Sequence, residues 1–161
     1  MELNRITIKK IIPEEKDELA SIFKSYIIEI DPASAIKQSH AEDFIASVLR
    51  NLNRQLFWCL IEGKKCGFSI LTIEKLWPLT DSNKGRISEF YIFPEYRKKT
   101  IGQQFANKLI SILKEHNCSL IELEVHYNNA RGLAFWQYIG FEIKKYLMKY
   151  TLSDNTQKVT Q

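Results

Sequence analysis

Between Arg86 and Leu113 the chain passes from an alternating strand, through a proline and a basic loop, directly into an amphipathic helix. Residues 86–93 read as the strand, and Pro94-Glu95-Tyr96-Arg97-Lys98-Lys99 ends it. Ile101, Phe105, Leu109, Ile112 and Leu113 then recur at helical spacing, with Asn117 as a natural stop. A strand that feeds a helix in this way is half of a β-α-β unit, so the strand expected over 120–125 should lie parallel to it. The junction also carries chemistry. The first turn of a helix has free N–H groups at its positive end, and Arg97, Lys98 and Lys99 beside it make an anion site. Gly102 lets the backbone approach a ligand closely. The loop lacks the Gly-Lys-Ser/Thr of a Walker A sequence and is not GxGxxG; a plain basic surface loop would share its composition.

The other elements follow from periodicity and punctuation. Residues 6–12 alternate as a first strand. Pro13, with Glu14 and Glu15, suits the start of a helix running to about Glu29 and burying Leu19, Ile22, Phe23 and Ile27. Asp31-Pro32 breaks it. Ser39-His40-Ala41-Glu42 has the form of a capping box opening a second helix, with Phe44, Ile45, Val48, Leu49 and Leu52 on one face. Residues 56–61 and 66–75 form a hairpin around the turn 62–65, and 76–85 is expected to be a loop. A short helix over 129–139 ends at Gly140, and a last strand is expected over 141–152. The order is β-α-α-β-β-β-α-β-α-β: an α/β (α+β) single domain, residues 1–152, with a mixed central sheet and helices on both faces. The polar tail 153–161 is expected to be disordered.

Composition narrows the function classes. With 45% hydrophobic residues and 12% aromatics the chain can bury a core. No apolar run is long enough for a membrane helix and the N-terminus does not open on a signal-like stretch, so a soluble, cytoplasmic protein without a membrane partner is expected. A net charge of +4 is too weak to argue for nucleic acid. Cys59, Cys66 and Cys118 form no CxxC pair, and His40, His116 and His126 have no ligand spacing, so neither a disulfide framework nor a metal site is expected.

Two segments carry a family resemblance. Arg97-Lys98-Lys99-Thr100-Ile101-Gly102 resembles the pyrophosphate loop Arg/Gln-x-x-Gly-x-Gly/Ala of the GNAT family of N-acetyltransferases. Asn129-Ala130-Arg131-Gly132-Leu133-Ala134-Phe135-Trp136-Gln137-Tyr138-Ile139-Gly140-Phe141 is similar to that family's Asn-x-x-Ala-x-x-Phe-Tyr-x-x-x-Gly-Phe. The resemblance is strongest over 86–141 and nearly absent over 13–54, where such proteins shape their acceptor sites. It implies a GNAT-like fold and acetyl transfer from acetyl-CoA, as co-substrate, to the primary amine of a small molecule or peptide. It also implies that the pyrophosphate sits on the amides of Lys98, Lys99, Thr100, Ile101, Gly102 and Gln103. The pantetheine arm would pair with the strand at Phe90, Tyr91 and Ile92, in a splay between the fourth and fifth strands, with Asn129, Phe135 and Trp136 on its other side. A homodimer would fit the family. Two positions depart from the pattern. Thr100 stands at the first loop glycine, where a positive φ would be strained. Trp136 stands where many members carry a general-acid tyrosine; an indole N–H is no usable acid, although a thiol of pKa ~8.5 leaves tolerably as thiolate. Tyr138 lies some 200° around the helix and is a poor substitute.

The attacking amine must lose a proton, and a carboxylate can take it directly or through water. Simple alternation puts Ile87, Glu89, Tyr91 and Phe93 on one strand face and Arg86, Ser88, Phe90 and Ile92 on the other. Glu89 among apolar neighbours is the first candidate base, since burial raises a carboxyl pKa; Glu124 on the fifth strand is the second. His126 reads as a surface residue. Trp77, Trp58, Tyr26, Glu29 and Asp31 could line an acceptor site, although Trp58 and Tyr26 equally suit a core. The other reading is a non-catalytic acyl-CoA-binding or regulatory module on the same fold.

Overall fold

A computed structural model describes residues 5–98 and 100–152. Strand β1 (Ile6–Lys10) leads through a 3-10 turn (Pro13–Glu15) into helix α1 (Lys16–Ile30), followed by α2 (Gln38–Arg50), β2 (Arg54–Ile61), β3 (Lys64–Leu76) and β4 (Leu79–Ile92). A second 3-10 turn (Pro94–Tyr96) precedes α3 (Ile101–Glu115), β5 (Cys118–Glu122) and α4 (Ala130–Ile139). The sheet order is β1-β2-β3-β4-β5; its pairs are antiparallel except the last, where β5 runs parallel to β4 as the β-α-β reading requires. Helices α1 and α2 bury Leu19, Phe23, Ile45 and Val48 on one face against Leu56, Trp58, Phe68 and Ile70. On the other face α3 and α4 bury Phe105, Leu109, Leu113 and Trp136 against Phe57, Cys59, Leu71 and Ile92.

Several boundaries differ from the sequence expectation. Helix α2 is capped at Lys37, not Ser39: the Lys37 N–H donates to His40 Nδ1 at 3.1 Å, and the ring nitrogen replaces the capping-box carboxylate. The helix ends at Arg50, so Leu52 is 99% exposed instead of lying on its apolar face. Segment 76–85 is no loop. The hairpin turns at the cis Trp77-Pro78 bond, and Lys75 pairs with Asn83 and Glu74 with Lys84. The polar residues that look like loop chemistry bridge to the turn between α3 and β5: Asn83 Nδ2 donates to the His116 carbonyl at 2.7 Å and Asn117 Nδ2 to that of Asp81 at 3.0 Å. Strand β5 stops at Glu122, not 125, because β4 diverges from it there. Residues 141–152, expected as a last strand, have no strand partner among the described residues. The tail 153–161 lies outside the described residues.

Candidate active site

The pairing of β4 with β5 ends at Arg86 opposite Glu122, and beyond it the two segments separate into a splay. Just past β4 the Phe93 N–H donates to the Cys66 carbonyl of β3 at 2.9 Å, and on β4 the Tyr91 carbonyl lies against Gly67. Alternation therefore points the backbone groups of Phe90 and Ile92 the other way, into the splay. The backbone of Tyr91 faces β3 instead, and its phenol donates to Glu29 Oε2 at 2.7 Å on the α1 side.

A register shift sits in β4 at the apex of the splay. Ile70 pairs with Glu89 but Leu71 pairs with Ile87, so Ser88 is one residue too many. Strict alternation is broken as a result. Ile87 packs in the α3/α4 cluster with Phe90 and Ile92, while Ser88 turns to the α1/α2 face, where its hydroxyl lies 2.8 Å from that of Thr72. The expectation that Ile87 and Glu89 share a face is thus corrected.

Next to this bulge is a cavity of about 290 Å³ lined by Phe44, Arg54, Thr72, Glu74, Arg86, Ile87, Ser88, Glu89 and Glu124. It brings both candidate bases together, and their settings differ. Glu89 is partly buried, which pushes its carboxyl above the ordinary range. The Tyr26 phenol, donating to Oε2 at 2.7 Å, and the charge of Arg54 oppose that rise. Burial beside Glu89 raises the Tyr26 phenol far above its usual range, so it remains a donor at any working pH. Glu124 is largely exposed and is paired with Arg86 Nη2 at 3.4 Å. Sequence reasoning missed Arg54, and its position opening β2 was the available signal. The guanidinium lies 5.9 Å from the Phe44 ring centre and makes no ion pair among the described residues.

The basic loop has its own arrangement. Arg97 is committed to the body: Nη1 pairs with Glu29 Oε1 at 2.6 Å, Nε donates to the Ile92 carbonyl at 2.8 Å, and the guanidinium stands over Tyr91 at 5.2 Å. Arg97 accordingly holds Glu29 below the usual carboxylate range, while burial and Glu29 push Tyr91 up to about 12. Thr100 has φ −60, so the anticipated strain is not there; the left-handed residue is Lys98, at φ 60. Thr100 Oγ1 accepts from Gln104 Nε2 at 3.0 Å. Ile101 is buried under the helix start, and helix geometry leaves the amides of Ile101, Gly102 and Gln103 free. A methyl added at Gly102 would stand 3.5 Å from Phe135, at the wall of the splay. Lys99 lies outside the described residues.

On the opposite wall Phe135 stacks on Phe90 at 5.7 Å. Trp136 is 8% exposed and meets Phe90, Phe135 and Phe141 edge-on at 5.0, 4.9 and 5.3 Å, which is core packing. The Asn129 side chain accepts the Gly132 N–H at 2.9 Å as the cap of α4. Tyr138 is 71% exposed and Trp77, at the hairpin tip, 76%; Trp58 is fully buried. His126 is exposed, with its ring against Tyr127 and Asn128. Among the described residues no cluster of His, Cys, Asp and Glu could hold a metal ion, and no helix is long and apolar enough to cross a membrane.

The chain is similar to several known proteins. An uncharacterised N-acetyltransferase of Methanocaldococcus jannaschii is 22% identical over 86% of this chain, which spans 62% of that relative's length. The structure of a possible acetyltransferase from Clostridium difficile 630 superposes with a TM-score of 0.77 at 18% identity, covering 92% of this chain and 98% of that one. A predicted acetyltransferase from Clostridium acetobutylicum, solved with acetyl-CoA, gives 0.75 at 16% identity, covering 91% and 96%. These likenesses establish the fold. The profile of the Acetyltransferase (GNAT) family matches residues 17–141, through the splayed strands, the α3 loop and α4, and the chain belongs to that family, whose co-substrate is acetyl-CoA.

Proposed function

We propose that this protein transfers an acetyl group from acetyl-CoA to a primary amine, with Glu89 as the base. The observation that carries the reading is the partly buried Glu89, hydrogen-bonded to Tyr26, in the cavity at the apex of the splay. When bound, acetyl-CoA supplies an activated acyl thioester. The splay edge fits its extended arm through the outward backbone groups of Phe90 and the N–H of Ile92, whose carbonyl accepts from Arg97 Nε. The free amides of Ile101, Gly102 and Gln103, with Lys98 beside them, suit a pyrophosphate. A β4 N–H aimed into the splay polarises the carbonyl. Glu89 accepts the proton of the attacking amine, directly or through water, and its raised pKa makes it a better base than an exposed carboxylate. The thiol departs as thiolate, since Trp136 is packed into the core and offers no acid. Glu124, paired with Arg86, is the weaker candidate. Three free cysteines suit action in the cytoplasm.

The core position of Trp136 also favours a second reading, a module that binds acyl-CoA without catalysis. A thermal shift with acetyl-CoA, CoA and ATP, followed by an amine screen, separates the two. A ligand at ~100 times its Kd adds about 2.7 kcal/mol, readily seen as a rise in midpoint. Both CoA species should stabilise and ATP should not; Glu89→Gln should keep that shift and lose turnover by about 10²-fold or more. Stabilisation with no amine accepted would favour the binding module. An unchanged rate in Glu89→Gln moves the base to Glu124, and no shift with either CoA species refutes both readings.

A further inference from the structure

Five charged side chains line the cavity beside the β4 bulge, and three of them already have partners of opposite sign. Arg86 Nη2 pairs with Glu124 at 3.4 Å, and Glu74 pairs with Lys84 Nζ at 3.9 Å. Two charges are left over, one of each sign. Among the described residues the Glu89 carboxylate meets only the neutral Tyr26 phenol. The Arg54 side chain makes no ion pair and no hydrogen bond among them, and its Nε is buried without a partner.

Arg54 is placed by the sheet. It opens β2 directly opposite Thr72 of β3, whose hydroxyl lies 2.8 Å from that of Ser88 on β4. When one of these hydroxyls donates to the other, the second keeps a free donor. The guanidinium stands 5.9 Å from the Phe44 ring centre, and its charge reaches the Glu89 carboxyl without contact. The cavity wall thus presents a cation with unused donors, then a hydroxyl donor, then a carboxylate base. A buried guanidinium donor without a protein partner is unfavourable unless another oxygen meets it.

Building on the acetyl-transfer reading above, we propose that the acceptor is a free amino acid, its ammonium group on Glu89 and its carboxylate on Arg54. A guanidinium takes a carboxylate through two parallel hydrogen bonds, and the free hydroxyl of the Thr72–Ser88 pair supplies a third donor. The two unmatched charges of the cavity are then answered by one zwitterion. A polyamine or an aminoglycoside would set a second cation against Arg54, and a peptide N-terminus would offer it a neutral amide. The volume of about 290 Å³ lies at the lower edge of the ~300–1,000 Å³ of sites for drug-sized ligands, which suits an acceptor of a few heavy atoms. Glu89 takes one proton from the bound ammonium. The neutral nitrogen then bonds to the acyl carbon as the carbon–sulfur bond breaks, CoA leaves as thiolate, and the surplus proton on nitrogen passes to water.

The test offers the full chain acetyl-CoA with each common free amino acid and, as a matched control, the carboxamide of the same amino acid; spermidine and an aminoglycoside complete the panel. Mass spectrometry reads the N-acetyl product. At least one amino acid should exceed its amide in kcat/KM by about 10- to 100-fold, the worth of hydrogen bonds to a charged group. The amide, lacking the neighbouring negative charge, carries more neutral amine at a given pH, so the comparison leans against the proposal. Arg54→Gln should bring the ratio within about twofold, chiefly by raising KM for the acid. Arg54→Lys should restore part of the preference. Amides acetylated as well as acids, turnover confined to spermidine or the aminoglycoside, or a preference that survives Arg54→Gln would overturn the amino-acid assignment and leave acetyl transfer standing. If no amine is acetylated, calorimetric titration of the same acids and amides into the CoA-bound protein decides. Uptake of an acid over its amide that is lost in Arg54→Gln would uphold the zwitterion site while refuting acetyl transfer, and no uptake would refute both. Should Arg54→Gln fail to fold, the acid-to-amide ratio of the unaltered protein decides alone.

Discussion

Replacing Tyr26 by Phe tests the central electrostatic argument without touching the carboxylate itself. The Tyr26 phenol donates to Glu89 Oε2 at 2.7 Å, and a donor to the ionised form lowers a carboxyl pKa. Glu89 is already raised by burial, with this bond and the Arg54 charge restraining the rise. A hydrogen bond to a charged group is worth ~1.5–3 kcal/mol, and water entering the adjoining cavity recovers part of it. Taking a net loss of about 1.4 kcal/mol, Tyr26→Phe moves the Glu89 midpoint upward by about one pH unit. The assay is a carboxyl 13C titration of glutamate-labelled protein, with Glu89→Gln identifying the resonance. The acidic limb of the pH–rate profile should move upward by the same amount. Stability supplies an independent sign check. A carboxyl raised on folding contributes stability below its unfolded pKa that is lost as pH rises through its folded midpoint. Tyr26→Phe should therefore lose more stability than wild type over that rise. A midpoint that stays put or falls refutes the account of Glu89.

Two further substitutions probe the frame around the site. In Gly67→Ala the new methyl would stand 2.3 Å from the Tyr91 carbonyl oxygen, where ~3.3 Å is needed, so β3 and β4 must part beside the splay. The cost should be about 3 kcal/mol and the fall in Tm roughly 6–12 °C; a Tm within 2 °C of wild type would refute the close approach. At the start of α1 burial opposes ionisation of Glu15, but Lys65 at 3.0 Å and the Ile12 N–H more than offset it and hold the carboxyl at about 2. Its stabilisation is present above pH ~4.5 and lost as pH falls toward 2. Glu15→Gln should thus cost about 1–2 kcal/mol in urea unfolding at pH 7 and roughly a quarter of that at pH 2.5; an equal loss at both values would show that packing, not charge, is responsible.

What could be read from residues alone was whatever local periodicity decides. The apolar spacing from Ile101 to Leu113, the left-handed stop at Asn117 and the Gly140 terminus of α4 stand as expected. The misreadings share one cause, which is that strand pairing is a tertiary matter. Asp81-Ser82-Asn83-Lys84-Gly85 has turn composition, yet it is strand because Glu74 and Lys75 lie opposite on one side and Cys118 on the other. The converse holds for 141–152, whose strand pattern finds no strand partner among the described residues.

The site shows the same division. Glu89 was recognisable as a carboxylate among apolar strand residues, but the face it occupies depends on a bulge that has no marker in Arg86-Ile87-Ser88-Glu89. Only the register against Ile70 and Leu71 reveals it. Without the extra residue Ser88 would face α3 and α4 together with Phe90. With it, Ser88 and Glu89 both reach the α1/α2 side, while Phe90 and Ile92 keep their backbone groups toward the splay. On the proposed function, the bulge lets β4 serve two ligands at once, presenting its edge to the thioester arm and a carboxylate to the amine. Arg97 illustrates the opposite limit. Its charge marked the loop as an anion site, but its guanidinium is spent on Glu29 and the Ile92 carbonyl. It pins the loop to β4, and on the proposed function the helix amides and Lys98 meet the pyrophosphate.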